Sequence, residues 1–142
     1  MNLRLLCFFV SIGLFGFCAA VAQNKSEDLG MMMFNNACRT CHTIREGDNR
    51  LGPNLYGIVG RKSGTVSGYN NYSSSMRNAD IIWGEKKIEQ FIGNPETVVS
   101  GNNMKPFSGL TSPEVRARIV QFLKDCSVCG PTCPAPRMCS RR

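Results

Sequence analysis

Cys38-Arg39-Thr40-Cys41-His42 sets two thiols and an imidazole within five consecutive residues. Cysteines three apart on a helical turn point the same way, so both thiols can add to the vinyl groups of one haem. The next residue then turns its imidazole onto the iron. C-x-x-C-H is the signature of this covalent, c-type attachment. Two other chemistries use the same atoms. A helix-borne disulfide or thioredoxin-type dithiol would leave His42 incidental, and no βαβ pattern surrounds the pair as a thioredoxin-like site needs. A zinc site would take His42, the sole histidine, and draw its other ligands from the cysteines near the C-terminus.

A single histidine excludes bis-histidine ligation, so the sixth position on iron falls to a methionine, another weak ligand or nothing. Met31, Met32 and Met33 share a helix with Cys38 and cannot reach the opposite haem face; Met138 lies among the tail cysteines. Met76 and Met104 remain. Met76 reads as a core residue packed against the cofactor. Met104 is the stronger candidate, because Ser100-Gly101-Asn102-Asn103-Met104-Lys105-Pro106-Phe107 is a flexible segment between two helices that can lay a thioether over a haem.

The elements that must position these groups follow from periodicity. Glu27 to His42 reads as one helix with Gly30, Phe34, Cys38 and His42 at steps of four, so one face holds the chemistry. Residues 45–82 are rich in Gly, Asn and Ser and read as loops and turns, with a short helix near Ser73 to Asn78. A stretch of that length needs something else to organise it. Gly84 to Ile92 reads as a second main helix with Ile88, Phe91 and Ile92 on one face, stopped by Gly93-Asn94-Pro95. In the third, Val115, Ile119, Phe122 and Leu123 share a stripe, and Thr111-Ser112-Pro113-Glu114 offers both a capping box and a first-turn proline. Such short helices bury little apolar surface by themselves, a deficit that a large apolar cofactor corrects.

Residues 27–124 resemble the class I cytochromes c, near the soluble cytochrome c and cytochrome c2 branch. The resemblance rests on Gly30 and Phe34 ahead of the Cys38–His42 motif, then Gly52-Pro53-Asn54-Leu55-Tyr56-Gly57, Gly60-Arg61-Lys62-Ser63-Gly64, Tyr72, Trp83-Gly84, Asn94-Pro95 and Met104, in the family's order. It implies an all-α, single-domain fold wrapped around one haem c, in which Gly30 and Phe34 meet the helix carrying Ile119 and Phe122. It further implies that the Pro53 carbonyl accepts the second ring N–H of His42, and that Arg61, Tyr72 and Trp83 gather around the haem propionates. Phe91 stands where the family commonly has a tyrosine whose hydroxyl reaches the methionine sulfur. Asn102 replaces a frequent threonine, and Lys105-Pro106-Phe107 carries an extra residue.

Two segments flank this domain, and the cysteines of the second are not predicted by the family. Residues 1–22 run from Arg4 through an uncharged apolar stretch to Ala20-Val21-Ala22, the pattern of a cleaved signal peptide; an uncleaved anchor is the alternative. Residues 125–142 form a Cys/Pro/Arg-rich tail with Cys126, Cys129, Cys133 and Cys139, for which structural disulfides are the default in an exported chain and metal binding the alternative. Seventeen Lys plus Arg against ten Asp plus Glu give a basic protein, and no run of basic residues interleaved with aromatics supports nucleic-acid binding. The resemblance implies a monomeric one-electron carrier; export would place it in the periplasm, and the positive charge argues for acidic redox proteins as partners and leaves membrane-surface association open. Arg39 and Lys105, adjacent to ligand-bearing residues, are the expected docking charges. The competing reading is a haem enzyme or gas sensor in which Met104 dissociates.

Overall fold

The computed structural model describes residues 29–128, all helix and connecting loop. The apolar segment at 1–22, expected as a signal peptide, and Cys129, Cys133 and Cys139 lie outside the described residues. Among the described residues five helices follow one another: α1 through 29–37, α2 Ser74–Asn78, α3 Glu85–Gly93, α4 Pro95–Val98 and α5 Pro113–Val128. Among the described residues no strand forms and no helix is long and apolar enough to cross a membrane.

α1 is helical because Leu29, three consecutive methionines, Phe34 and Ala37 combine good helix formers with an absence of β-branched residues. Expected to run to His42, it ends as regular helix at residue 37. The Phe34 carbonyl accepts from both Cys38 N (2.8 Å) and Arg39 N (3.2 Å), which widens the last turn. The Cys38 carbonyl then accepts from Cys41 N (3.1 Å) and His42 N (2.9 Å), so Cys38–His42 close one tight turn at the helix end.

Gly30 explains how α1 meets α5. A Cβ there would lie 2.8 Å from the Arg118 carbonyl oxygen and 2.9 Å from Phe122 Cβ, so only glycine admits this approach. One turn on, the Phe34 and Phe122 rings sit 5.4 Å apart. Both are buried, as are Ile119 and Leu123. Each such side chain contributes about 1.5–3 kcal/mol by leaving water.

At the start of α5, Ser112 Oγ accepts from Val115 N (3.3 Å) and Pro113 takes the first helical position, so Ser112 is the cap rather than Thr111. Glu114 is therefore not the return arm of a capping box; it faces Arg118 one turn on, at 3.5 Å. α5 also runs past Lys124, where the change of composition places the domain boundary, to Val128, and buries Cys126 in the core. Lys124 Nζ ties it to Glu85 of α3 at 2.8 Å.

The loop-rich middle carries two features the sequence reading does not include. Residues 60–63 run antiparallel to 81–84, through Gly60 N to Trp83 O (2.8 Å), Trp83 N to Arg61 O (2.9 Å) and Ser63 N to Ile81 O (2.8 Å), around a Lys62–Ile82 bridge. Asn94-Pro95 stops α3 and also starts α4, since Asn94 caps both and proline suits a first turn.

Candidate functional site

His42 is 8% exposed, and its position is set by backbone. Gly52 N donates to Cys41 O (2.8 Å) and Leu55 N to Thr43 O (2.7 Å), so 52–55 is laced along the strip that holds the imidazole. From that lacing Pro53 O lies 2.7 Å from His42 Nδ1. A carbonyl only accepts, so the ring proton is on Nδ1 and the Nε2 lone pair is open. Burial holds the imidazole pKa below its ordinary value; the Pro53 hydrogen bond opposes this, and the Arg61 charge adds to the lowering. His42 is thus neutral at pH 7. Among the described residues no protein group bonds Nε2, and a neutral, oriented, unpartnered buried imidazole nitrogen is what an iron ligand requires.

Cys38 and Cys41 are free thiols. Burial, reinforced by the neighbouring Cys41, pushes the Cys38 thiol up to about 12. An attacking thiol needs the opposite, a depressed pKa, so Cys38 is unsuited to start thiol–disulfide exchange. Two free thiols followed directly by a neutral imidazole fit a haem that takes one thioether at each cysteine and a nitrogen ligand from His42. Among the described residues there is no group of three or more Cys, His, Asp or Glu side chains fit to hold a metal ion by themselves.

The remaining sequence-chosen residues fall into one neighbourhood. Arg61 extends Nη1 to Tyr56 O (2.8 Å) and Nη2 to Asn54 O (2.9 Å), pinning the 54–56 loop with two of its five donors. Its carbonyl receives Trp83 N, and the Trp83 ring packs on Phe91 at 5.0 Å. Tyr72 stands within electrostatic reach of Arg61; burial raises its phenol pKa, and the Arg61 charge opposes that rise.

Met104 is half-buried on the loop after α4, and so is Met76 on α2; both pack against the core. The groups that hold the Met104 loop were absent from the sequence reading. Asn102, singled out there only as a departure, is 4% exposed; its Oδ1 accepts from Met104 N (2.9 Å) and its Nδ2 donates to Val99 O (2.9 Å) and Glu96 Oε1 (3.1 Å). Glu96 also accepts from Gly101 N (3.1 Å) and pairs with Lys105 at 2.7 Å. The Lys105 ammonium first, then the Gly101 amide, hold its carboxyl below the usual range. Asn103 reaches back to Asn71 O (3.1 Å). A run of Asn and Gly beside a candidate ligand was the available signal, since such side chains bond local backbone.

Two free thiols and a neutral imidazole at the end of one helix define a covalent haem site of the c type. No protein-family model matches the chain. It is 39% identical over 97 residues to cytochrome c of Nigella damascena, covering 68% of this chain and 86% of that protein. Cytochrome c of Ginkgo biloba is 38% identical over 96 residues, covering 67% and 83%, and cytochrome c2 iso-2 of Magnetospirillum molischianum is 36% identical over 87 residues, covering 61% and 88%. The chain belongs to the cytochrome c family: a monohaem electron carrier, not an enzyme, with one haem c attached through Cys38 and Cys41.

Proposed function

We propose that this cytochrome works in the periplasm as a monomer, passing single electrons between acidic redox proteins, with His42 and Met104 as the iron's axial ligands. The bound haem supplies a one-electron couple at iron. The observation that carries the reading is the buried neutral imidazole of His42, held by Pro53 O at 2.7 Å with Nε2 open. That hydrogen bond fixes ring orientation and increases ligand basicity. Met104 supplies a thioether, a ligand that raises the potential. Arg61, Tyr72 and Trp83 are proposed to face the propionates. Phe91 offers only ring surface, so no side-chain hydroxyl from that position meets the methionine sulfur. The periplasmic assignment draws on the leader pattern at residues 1–22.

Docking follows from charge. Arg39 and Lys105 are both exposed, but the Lys105 ammonium is matched by Glu96 at 2.7 Å, which leaves Arg39 as the less compensated of the two. A basic surface steers acidic partners through a small, transient interface. Electron-transfer rates with an acidic partner should fall as salt rises, and a salt-independent rate refutes the steering.

The ligand assignment is tested by absorption spectroscopy of oxidised and reduced holoprotein. Haem should survive denaturing extraction, and the weak long-wavelength band of iron bonded to methionine sulfur should disappear in Met104→Ala and persist in Met76→Leu. Loss of the band in Met76→Leu alone transfers the role to Met76.

A further inference from the structure

Residues 96–105 close a loop whose polar contacts converge on one carboxylate. Glu96 Oε2 accepts from Gly101 N at 3.1 Å, while Oε1 accepts from Asn102 Nδ2 at 3.1 Å and faces Lys105 Nζ at 2.7 Å. These donors flank Met104 on both sides in sequence. Asn102 passes the constraint on: its Nδ2 is held by Glu96 and by Val99 O, and its Oδ1 holds Met104 N. Asn102 is 4% exposed and every polar atom of its carboxamide is matched, so it cannot turn without leaving a buried group unpaired. Glu96 itself sits in α4, anchored by the buried Pro95 and Val99 on either side.

We propose that Glu96 is the positioning residue for the Met104 loop: its carboxylate gathers the Gly101 amide, the Asn102 carboxamide and the Lys105 ammonium, and through Asn102 fixes the backbone from which the Met104 thioether projects. The inference rests on Met104 being the iron's ligand. Glu96 acts through Asn102 and the loop backbone, limiting how often the loop opens. Glutamine, with one acceptor oxygen and an NH2 group where three donors converge, cannot replace it. The loop of Glu96→Gln should therefore open more often while the rest of the fold is unaffected.

The test uses ferric holoprotein and cyanide, which captures iron only when the methionine leaves. Glu96→Gln should speed cyanide binding about fivefold, the scale of losing charge-assisted hydrogen bonds that are partly open to solvent. Asp80→Asn is the control, because Lys62–Asp80 is an equally short exposed ion pair, at 2.7 Å, outside this loop. Lys105→Met keeps the Gly101 and Asn102 bonds and should give a smaller acceleration. Amide exchange adds a readout independent of cyanide: Gly101 and Met104 N–H should lose protection severalfold in Glu96→Gln, with core amides of α5 unchanged. A cyanide rate in Glu96→Gln equal to that of Asp80→Asn overturns the proposal. So does Lys105→Met reproducing the whole effect, which would reduce the clamp to one ion pair. If the parent already binds cyanide as fast as Met104→Ala, the ligand assignment fails and the proposal falls with it; a slow parent beside an unaffected Glu96→Gln refutes the clamp alone.

Discussion

Gly52→Ala isolates the way His42 is held. A Cβ on Gly52 would lie 2.7 Å from His42 Nδ1 and 2.9 Å from Nε2, and would overlap Cε1. Ordinary contact needs roughly 3.5 Å or more, so the ring must retreat by about 1 Å. The backbone has little freedom to give way instead, because Gly52 N is bonded to Cys41 O at 2.8 Å and Gly52 O to Arg50 N at 3.0 Å. A 1 Å retreat would stretch the 2.7 Å bond to Pro53 O past hydrogen-bond range. Overpacking costs about 1–3 kcal/mol, and the lost hydrogen bond about 0.5–1.5 kcal/mol. Against these stands a gain of about 0.4–1 kcal/mol from a less flexible unfolded chain. Gly52 has no positive φ, so the gain is fully available. The balance is a destabilisation of about 2 kcal/mol. It should be measured by guanidinium unfolding of the holoprotein through the emission of Trp83, the sole tryptophan, together with the proton resonance of His42 Nδ1–H. An unchanged resonance and a holoprotein as stable as the parent would refute the argument that glycine is present to make room for the imidazole.

Three further outcomes follow from other contacts. Gly30→Ala sets a helix-propensity gain of about 1 kcal/mol against overlap with backbone at Arg118, which cannot swing aside; a net loss of about 1–2 kcal/mol is expected in denaturant unfolding, with the haem spectrum unchanged. Asn102→Asp keeps the acceptor for Met104 N but turns an oxygen towards Val99 O and Glu96 Oε1, so it should destabilise by about 2–3 kcal/mol at pH 7, more than Asn102→Ala; the reverse order would contradict the network. The Lys62 ammonium at 2.7 Å holds the Asp80 carboxyl below its ordinary value. Its contribution to stability is present above the unfolded aspartate pKa and is lost as pH falls through the lower folded value, so Lys62→Met should move the Asp80 NMR titration midpoint upward and flatten the acid limb of the stability profile.

The apolar skeleton was legible because it is periodic. Gly30, Phe34, Ile119 and Phe122 stand at helical spacing, and the structure brings them together at one crossing. The contact between His42 and Pro53 was legible only through resemblance, since nothing in an eleven-residue separation announces a 2.7 Å hydrogen bond. The extent of α1 was misread because periodicity cannot report that one carbonyl, at Phe34, takes two amides and ends the regular helix at residue 37, five residues earlier. The antiparallel pairing of 60–63 with 81–84 was hidden for another reason: it is made by backbone groups across a long loop, and Gly, Ser and Lys carry no strand pattern. Glu96 and Asn102 were illegible as loop anchors because a charge next to a proline and an asparagine next to another asparagine look like solvated turn residues until their partners are known.

The two sides of the site are held by different kinds of bond, and this orders their failure. On the histidine side the constraints are main-chain: Gly52 N to Cys41 O, Leu55 N to Thr43 O, and the Pro53 carbonyl on a ring that is 8% exposed. Loosening them requires opening the 41–55 segment, which is packed beneath Arg61's two bonds to Asn54 O and Tyr56 O. On the methionine side the constraints are side-chain, and their anchor, Glu96, pairs with a lysine that is 64% exposed. Exposed ion pairs weaken with salt, whereas buried backbone bonds do not. With His42 and Met104 as the proposed iron ligands, rising guanidinium, itself a salt, should therefore release Met104 well before His42, as a loss of the methionine–iron band at a lower midpoint than the loss of Trp83 burial. Urea, which leaves ionic strength unchanged, should narrow the gap between the two midpoints. Coincident transitions in both denaturants would mean that the Met104 loop opens only with the whole domain, and that the core rather than the polar clamp sets its stability.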